Sequence, residues 1–149
     1  MQRRTAILTA GACWVFSFLL QACDSAPADQ ANELVQSQLV GTWLRAYAEN
    51  GTQVRRILVL NPDGKFSEKV SIVEKGTPAQ RKSHAGEWLF DGTNLKRRYT
   101  SINGEPVRAP AAPFATFEVT FPTRSEFIGT DHIHKRDVRY QRVDAGTQP

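Results

Sequence analysis

Leu39-Val40-Gly41-Thr42-Trp43 heads a long run of strand-like sequence, with one residue between the glycine and the tryptophan. From Gly41 onward apolar and polar residues alternate with period two, as in strands that pack one face and wet the other. Turn chemistry interrupts this alternation at short intervals. Asn50-Gly51 follows the segment 42–48, and both residues tolerate positive φ, the best short-range signal of a hairpin. Pro62, Asp63 and Gly64 close 53–60, the proline fixing φ and the glycine taking the left-handed position. Segment 65–73 runs into a loop over 74–82, broken by Gly76 and Pro78, while Asp91-Gly92 and Asn103-Gly104 close 83–90 and 94–102. Segment 114–121 turns at Pro122, and 124–132 and 137–143 complete the series. The stretch 105–113 contains Pro106, Pro110 and Pro113 and cannot be a central strand.

Eight strands joined mostly by tight turns predict an all-β fold, an antiparallel up-and-down meander closed into a barrel, because closure removes the exposed edges. A sandwich would need longer crossovers than this chain has. An eight-stranded barrel is either filled by its own side chains or holds one small ligand.

Upstream of Gly41, Asp29 can cap a short helix in which Ala31, Leu34, Val35 and Leu39 share one face. About ten residues cannot sustain a helix alone, so its apolar stripe needs a partner, which the open end of a barrel would provide. Residues 24–29 are small and polar, as in a flexible tether. Residues 1–4 carry Arg3 and Arg4, and 6–20 is a nearly uninterrupted apolar run. That is signal-peptide anatomy, and the run is too short to span a hydrocarbon core of about 30 Å. The expected organisation is a signal peptide over 1–22, Cys23 and a flexible tether over 23–29, a barrel over 30–143 and a disordered tail over 144–149.

Composition limits the function classes. Of 19 lysines and arginines, Arg3 and Arg4 fall in the leader, leaving 17 against 15 carboxylates, too mild an excess to argue for nucleic acid. The two cysteines, Cys13 and Cys23, both precede the strands, so no disulfide staples the barrel. No nucleophile motif, phosphate loop or metal-ligand spacing occurs, so neither an enzyme nor a cofactor is expected.

Two stretches resemble known families. Leu20-Gln21-Ala22-Cys23 resembles the lipobox of bacterial lipoproteins, with Gln21 departing from the small or aliphatic residue usual there. The resemblance implies cleavage before Cys23 and acylation of it, palmitate among the chains, anchoring the protein to a bacterial envelope membrane and facing the periplasm. Each buried methylene adds about 0.8 kcal/mol, and stable anchoring takes two chains or more. An ordinary secretory cleavage after Ala22, or a twin-arginine reading of Arg3 and Arg4, are the other readings. The order of short helix, Gly-x-Trp, eight strands and a late arginine, from Leu34 to Val143, resembles the lipocalin-like bacterial lipoproteins among the calycin barrels. That resemblance implies that Trp43 plugs one end and that Arg142 lies across its ring.

If the regular apolar residues point inward, Arg56, Glu68 and Arg97 point inward with them. One expectation is a ligand cavity lined by Trp88, Tyr99 and Phe117, with Arg56 or Arg97 holding an anionic head group. The other is an internal Arg and Glu network in a filled barrel that acts as an interaction or structural module of an envelope assembly, through its outer face or the 105–113 segment. His132 and His134 would share one face of an extended strand beside Asp131, but with His84 the only further histidine no metal site is expected. Lys96, Arg98, Arg136 and Arg139 read as a solvated outer face.

Overall fold

A computed structural model describes residues 27–108 and 112–149. The leader expected over 1–22 and Cys23 lie outside the described residues. Strand β1 (Gly41–Glu49) turns through Asn50 and Gly51, at φ 50° and 77°, into β2 (Thr52–Leu60). Positive φ at both central residues matches the right-handed twist of the flanking strands, which is why Asn-Gly occupies this turn. There follow β3 (Lys65–Glu74), β4 (Gln80–Phe90), β5 (Asn94–Ile102), the two-residue β6 (Glu105–Pro106), β7 (Phe114–Thr123), β8 (Glu126–Asp131) and β9 (Arg136–Val143). Consecutive long strands pair antiparallel, β5 pairs with β7, and β9 returns to β1 through Thr42↔Val143, Trp43↔Arg142 and Leu44↔Gln141. The eight long strands thus close an up-and-down barrel. β6 pairs with the end of β5, outside the closed ring.

Several boundaries differ from those expected. β4 begins at Gln80, so the loop after β3 is shorter than 74–82. β7 continues through Pro122 to Thr123 with a register shift between Thr120 and Thr123. A bulge tolerates a proline because the ladder is already interrupted there. β8 stops at Asp131, and residues 132–135 form a turn with Lys135 at φ 51°. His132 and His134 therefore do not share the face of a strand. The last residues, expected to be disordered, instead form a turn in which Thr147 donates its N–H to the Asp144 carbonyl at 3.2 Å, and Lys69 Nζ on β3 donates to Gln148 Oε1 at 3.4 Å.

Helix α1 (Pro27–Leu39) starts two residues before Asp29, with proline at a first position whose N–H would lack a helical partner anyway, so residues 27–29, expected in the tether, are helical. Its buried stripe is narrower than the four-residue face expected: Leu34 is 70% exposed and Ala31 is exposed, while Val35 and Leu39 pack on the core. Rather than covering an open end, the helix lies at the end that Trp43 closes. Among the described residues no helix is long and apolar enough to cross a membrane.

At that end Trp43 is fully buried, meets Phe127 edge-on at 4.7 Å and donates its indole N–H to the Leu39 carbonyl at 2.8 Å. Phe127 stacks on Tyr140 at 4.8 Å. The Arg142 guanidinium lies 4.2 Å over the Trp43 ring and donates to the carbonyls of Val40, at 2.9 Å, and Gln38. Gly41 has φ 142°, and a Cβ there would run into Arg142 Nη1. The glycine of Gly-x-Trp is the space in which the arginine sits.

Candidate functional site

The interior above the aromatic plug, toward the opposite end or mouth, is polar at its centre. Register explains most of this. In the β2/β3 pair Leu58 faces Glu68 and Arg56 faces Val70, so Arg56 is the diagonal neighbour of Glu68 on one face. In the β3/β4 pair Glu68 faces His84 directly. Arg56 Nη1 lies 3.2 Å from Glu68 Oε2, and His84 Nδ1 lies 2.9 Å from the same oxygen. Arg97, from β5, brings Nη1 to 3.3 Å from Glu68 Oε1.

Glu68 is 1% exposed and Arg97 4%. Burial pushes the Glu68 carboxyl toward its neutral form, but the charges of Arg97, Arg56 and His84 outweigh it and hold Glu68 below its ordinary range. Burial also disfavours the Arg97 cation, and the oxygens of Tyr140, Tyr99 and Glu68 more than offset it, so Arg97 holds its proton more tightly than usual. Arg56 shifts in the same direction, burial being outweighed by Glu68 and Tyr47. All three groups are therefore charged at neutral pH, with two guanidinium groups against one carboxylate.

Aromatic rings surround this core. Arg97 stands 5.4 Å from the Phe66 ring, 5.7 Å from Tyr99 and 5.6 Å from Phe117. Ring faces stabilise a cation where water is scarce. Phe66 reaches Tyr99, two strands away, at 5.2 Å because β4 presents only Gly86 between them. A Cβ on Gly86 would lie 2.8 Å from Phe66 Cε1 and collide with the Arg98 carbonyl.

A cavity of about 210 Å³ opens beside the cluster. Arg56, Glu68, Arg97, Tyr99 and Phe117, all expected as ligand contacts, line it together with Tyr140. Trp88 does not. Its indole N–H donates to the Asn61 carbonyl in the β2–β3 turn at 2.9 Å, and the ring packs into the core. A buried indole needs an acceptor, and that turn supplies one. Trp43 and Arg142 lie below, in the plug. Cys23 lies outside the described residues.

The Nε–H groups of Arg56 and Arg97 are buried and have no hydrogen-bond partner. Buried donors are rarely left so, and the cost of one is about 1–3 kcal/mol. At the mouth Asp131 is already engaged. It accepts the N–H groups of Ile133 at 3.1 Å and His134 at 3.0 Å, pairs with His134 Nδ1 at 2.7 Å, and is held below the ordinary carboxylate range chiefly by the His134 N–H. His132 pairs separately with Glu118 at 2.6 Å. Among the described residues no three His, Cys, Asp or Glu side chains gather as a metal site would require.

Sequence reasoning did not place His84, Phe66 or Tyr140 in this cluster. His84 shares the alternation of Gly86 and Trp88, which was a usable signal for its inward direction. That it faces Glu68 depends on the register across the β3–β4 loop, which local sequence does not encode.

No protein-family model matches the chain, and no curated protein sequence matches it.

Proposed function

We propose that this protein is a lipoprotein of a bacterial envelope, anchored through Cys23 and facing the periplasm, whose lipocalin-like barrel binds a small, partly apolar ligand without catalysing a reaction on it. The observation that carries the binding reading is the interior cavity, walled by Tyr99, Phe117 and Tyr140 and floored by the half-buried Arg56 and the buried Arg97. Aromatic walls with a few convergent polar groups are the usual make-up of a small-molecule site. The anchoring reading rests on Leu20-Gln21-Ala22-Cys23 after a basic and then apolar leader.

Native mass spectrometry of the full chain, expressed in a bacterial envelope and purified, tests the binding reading. A discrete extra mass that disappears on denaturation is expected. A protein carrying no such mass after exposure to an envelope extract would favour the second reading, a filled barrel acting as an interaction module. Phe114 and Ile133, 67% and 82% exposed beside the cavity mouth, would serve that role, with the 105–113 segment directly preceding Phe114 in the chain. Anchoring is tested by Cys23→Ala, which should move the protein from the membrane to the soluble fraction. Unchanged membrane attachment would rule Cys23 out as the anchor.

A further inference from the structure

We propose that the barrel cavity is a site for a compact monocarboxylate, received by the guanidinium groups of Arg56 and Arg97, with Glu68 serving to hold the two guanidinium groups apart and in place. This deepens the ligand-binding reading above and rests on it. Three observations support it. Glu68 touches each arginine through one Nη only, at 3.2 and 3.3 Å, and both arginines line the cavity with donors that Glu68 does not use. Arg56 and Arg97 share Glu68 as their one anion, while Asp131, the other carboxylate on the cavity, lies at the mouth against Arg136 at 3.7 Å and His134, and Arg45 also lines the cavity, so the interior retains a positive charge. A buried charge without a partner is costly, and an anion of unit charge removes the imbalance.

The class of anion follows from geometry. A carboxylate has two oxygens and can accept from donors approaching along different directions, as the β2 and β5 arginines do, and guanidinium edges suit that planar group. Size then limits what the carboxylate can carry. About 210 Å³ corresponds to roughly seven waters at their share of liquid volume, about 30 Å³ each. That admits a ring or a short branched chain against Tyr99, Phe117 and Tyr140, whereas most of a long acyl chain would have to lie outside the cavity mouth, in water. The plug of Trp43, Phe127 and Tyr140 closes the way further down the barrel.

The test is a titration of the purified full chain, read by thermal shift and calorimetry, with four probes at constant ionic strength: benzoate, the uncharged benzyl alcohol, dodecanoate and chloride. Saturable binding of benzoate, at least tenfold tighter than benzyl alcohol and dodecanoate and not reproduced by chloride, is the expected result. Arg56→Met should weaken benzoate binding at least tenfold while circular dichroism confirms the fold. The double variant Glu68→Gln/Arg97→Met, which removes one charge of each sign, should abolish it. Equal binding of benzyl alcohol would overturn the carboxylate, and tighter binding of dodecanoate would overturn the size limit, while both would leave a ligand-binding barrel standing. Chloride matching benzoate would reduce the site to one for an inorganic anion. Failure of all four probes would overturn this assignment, and the native mass measurement would then decide separately whether the barrel binds anything else.

Discussion

Trp43, Arg142 and Gly41 form one unit, and each constrains the others. The indole is fully buried, the guanidinium covers it and ties it to the chain entering the barrel through the carbonyls of Gln38 and Val40, and the glycine leaves the space for that guanidinium. Trp43→Ala should destabilise the protein by about 3–5 kcal/mol as a large-to-small change in a packed core. Urea denaturation measures it, and a loss under about 1 kcal/mol would mean that Trp43 is not a plug. Gly41→Ala should be destabilising by more than about 1 kcal/mol, since its φ is unsuited to a side chain and the new methyl displaces Arg142. Glu68 is the second residue on which much depends. Glu68→Gln leaves Arg56 and Arg97 without their anion, and breaking such a buried pair costs about 3–5 kcal/mol, toward the lower end here because the Arg56 side chain is 28% exposed and partly solvated. Because the folded carboxyl titrates below its ordinary value of 4.5, this stabilisation is complete above that value and is lost as pH falls through the folded pKa. Melting temperatures from pH 7 to pH 3 should therefore show the gap between wild type and Glu68→Gln narrowing with acidification. A constant gap would argue against the ion pair.

Strands and helix were legible to different degrees. The strands were read well because each hairpin carries its own turn chemistry, as at Asn50-Gly51 and Asn103-Gly104, where the non-glycine residues take φ 50° and 51°. The boundaries that moved lie where tertiary pairing overrides local sequence. Pro122 does not end β7 because a register shift accommodates it, and β8 stops at Asp131 because that side chain accepts the N–H groups of the turn that follows. The helix was anticipated, but its buried face was drawn too wide, since periodicity cannot tell which part of an apolar stripe meets the barrel. Leu34 and Val35 separate the two cases. Val35→Asp should lower stability by about 1–3 kcal/mol, the range for placing a polar group where no partner exists, while Leu34→Asp should leave it within about 0.5 kcal/mol. Thermal unfolding of the two variants checks both. Equal effects would mean that the helix is not seated by Val35.

The barrel is closed by a contact between the two ends of the strand series, where β9 meets β1 over three residue pairs. The same pairing brings Arg142 over Trp43, so closure and plugging are one event. A chain ending at residue 135 should retain hairpins but lose the cooperative thermal transition, because it would expose two edges and the plug together. A sharp melt by circular dichroism in that truncation would show that β9 is dispensable. Closure also creates the charged interior. Arg56, Glu68 and Arg97 lie on three different strands, and only a curved sheet brings the β2 and β5 arginines to opposite oxygens of the β3 carboxylate.

Alternation and turn residues are local properties, which is why the chain alone was enough for the strand number, the meander order, the sharing of one face by Arg56, Glu68 and Arg97 with the regular apolar residues, and the glycine ahead of Trp43. Alternation alone leaves it conditional whether that face points inward. Which inward residues touch is a matter of register and curvature, set by packing over the whole sheet. His84 joined Glu68 across a loop of unforeseen length, Phe66 crossed over Gly86 to reach Tyr99, and Trp88 turned away from the cavity toward the Asn61 carbonyl. The amount of empty space left among those side chains was likewise settled only when the strands closed, because a void is the difference between two large volumes that no single segment contains.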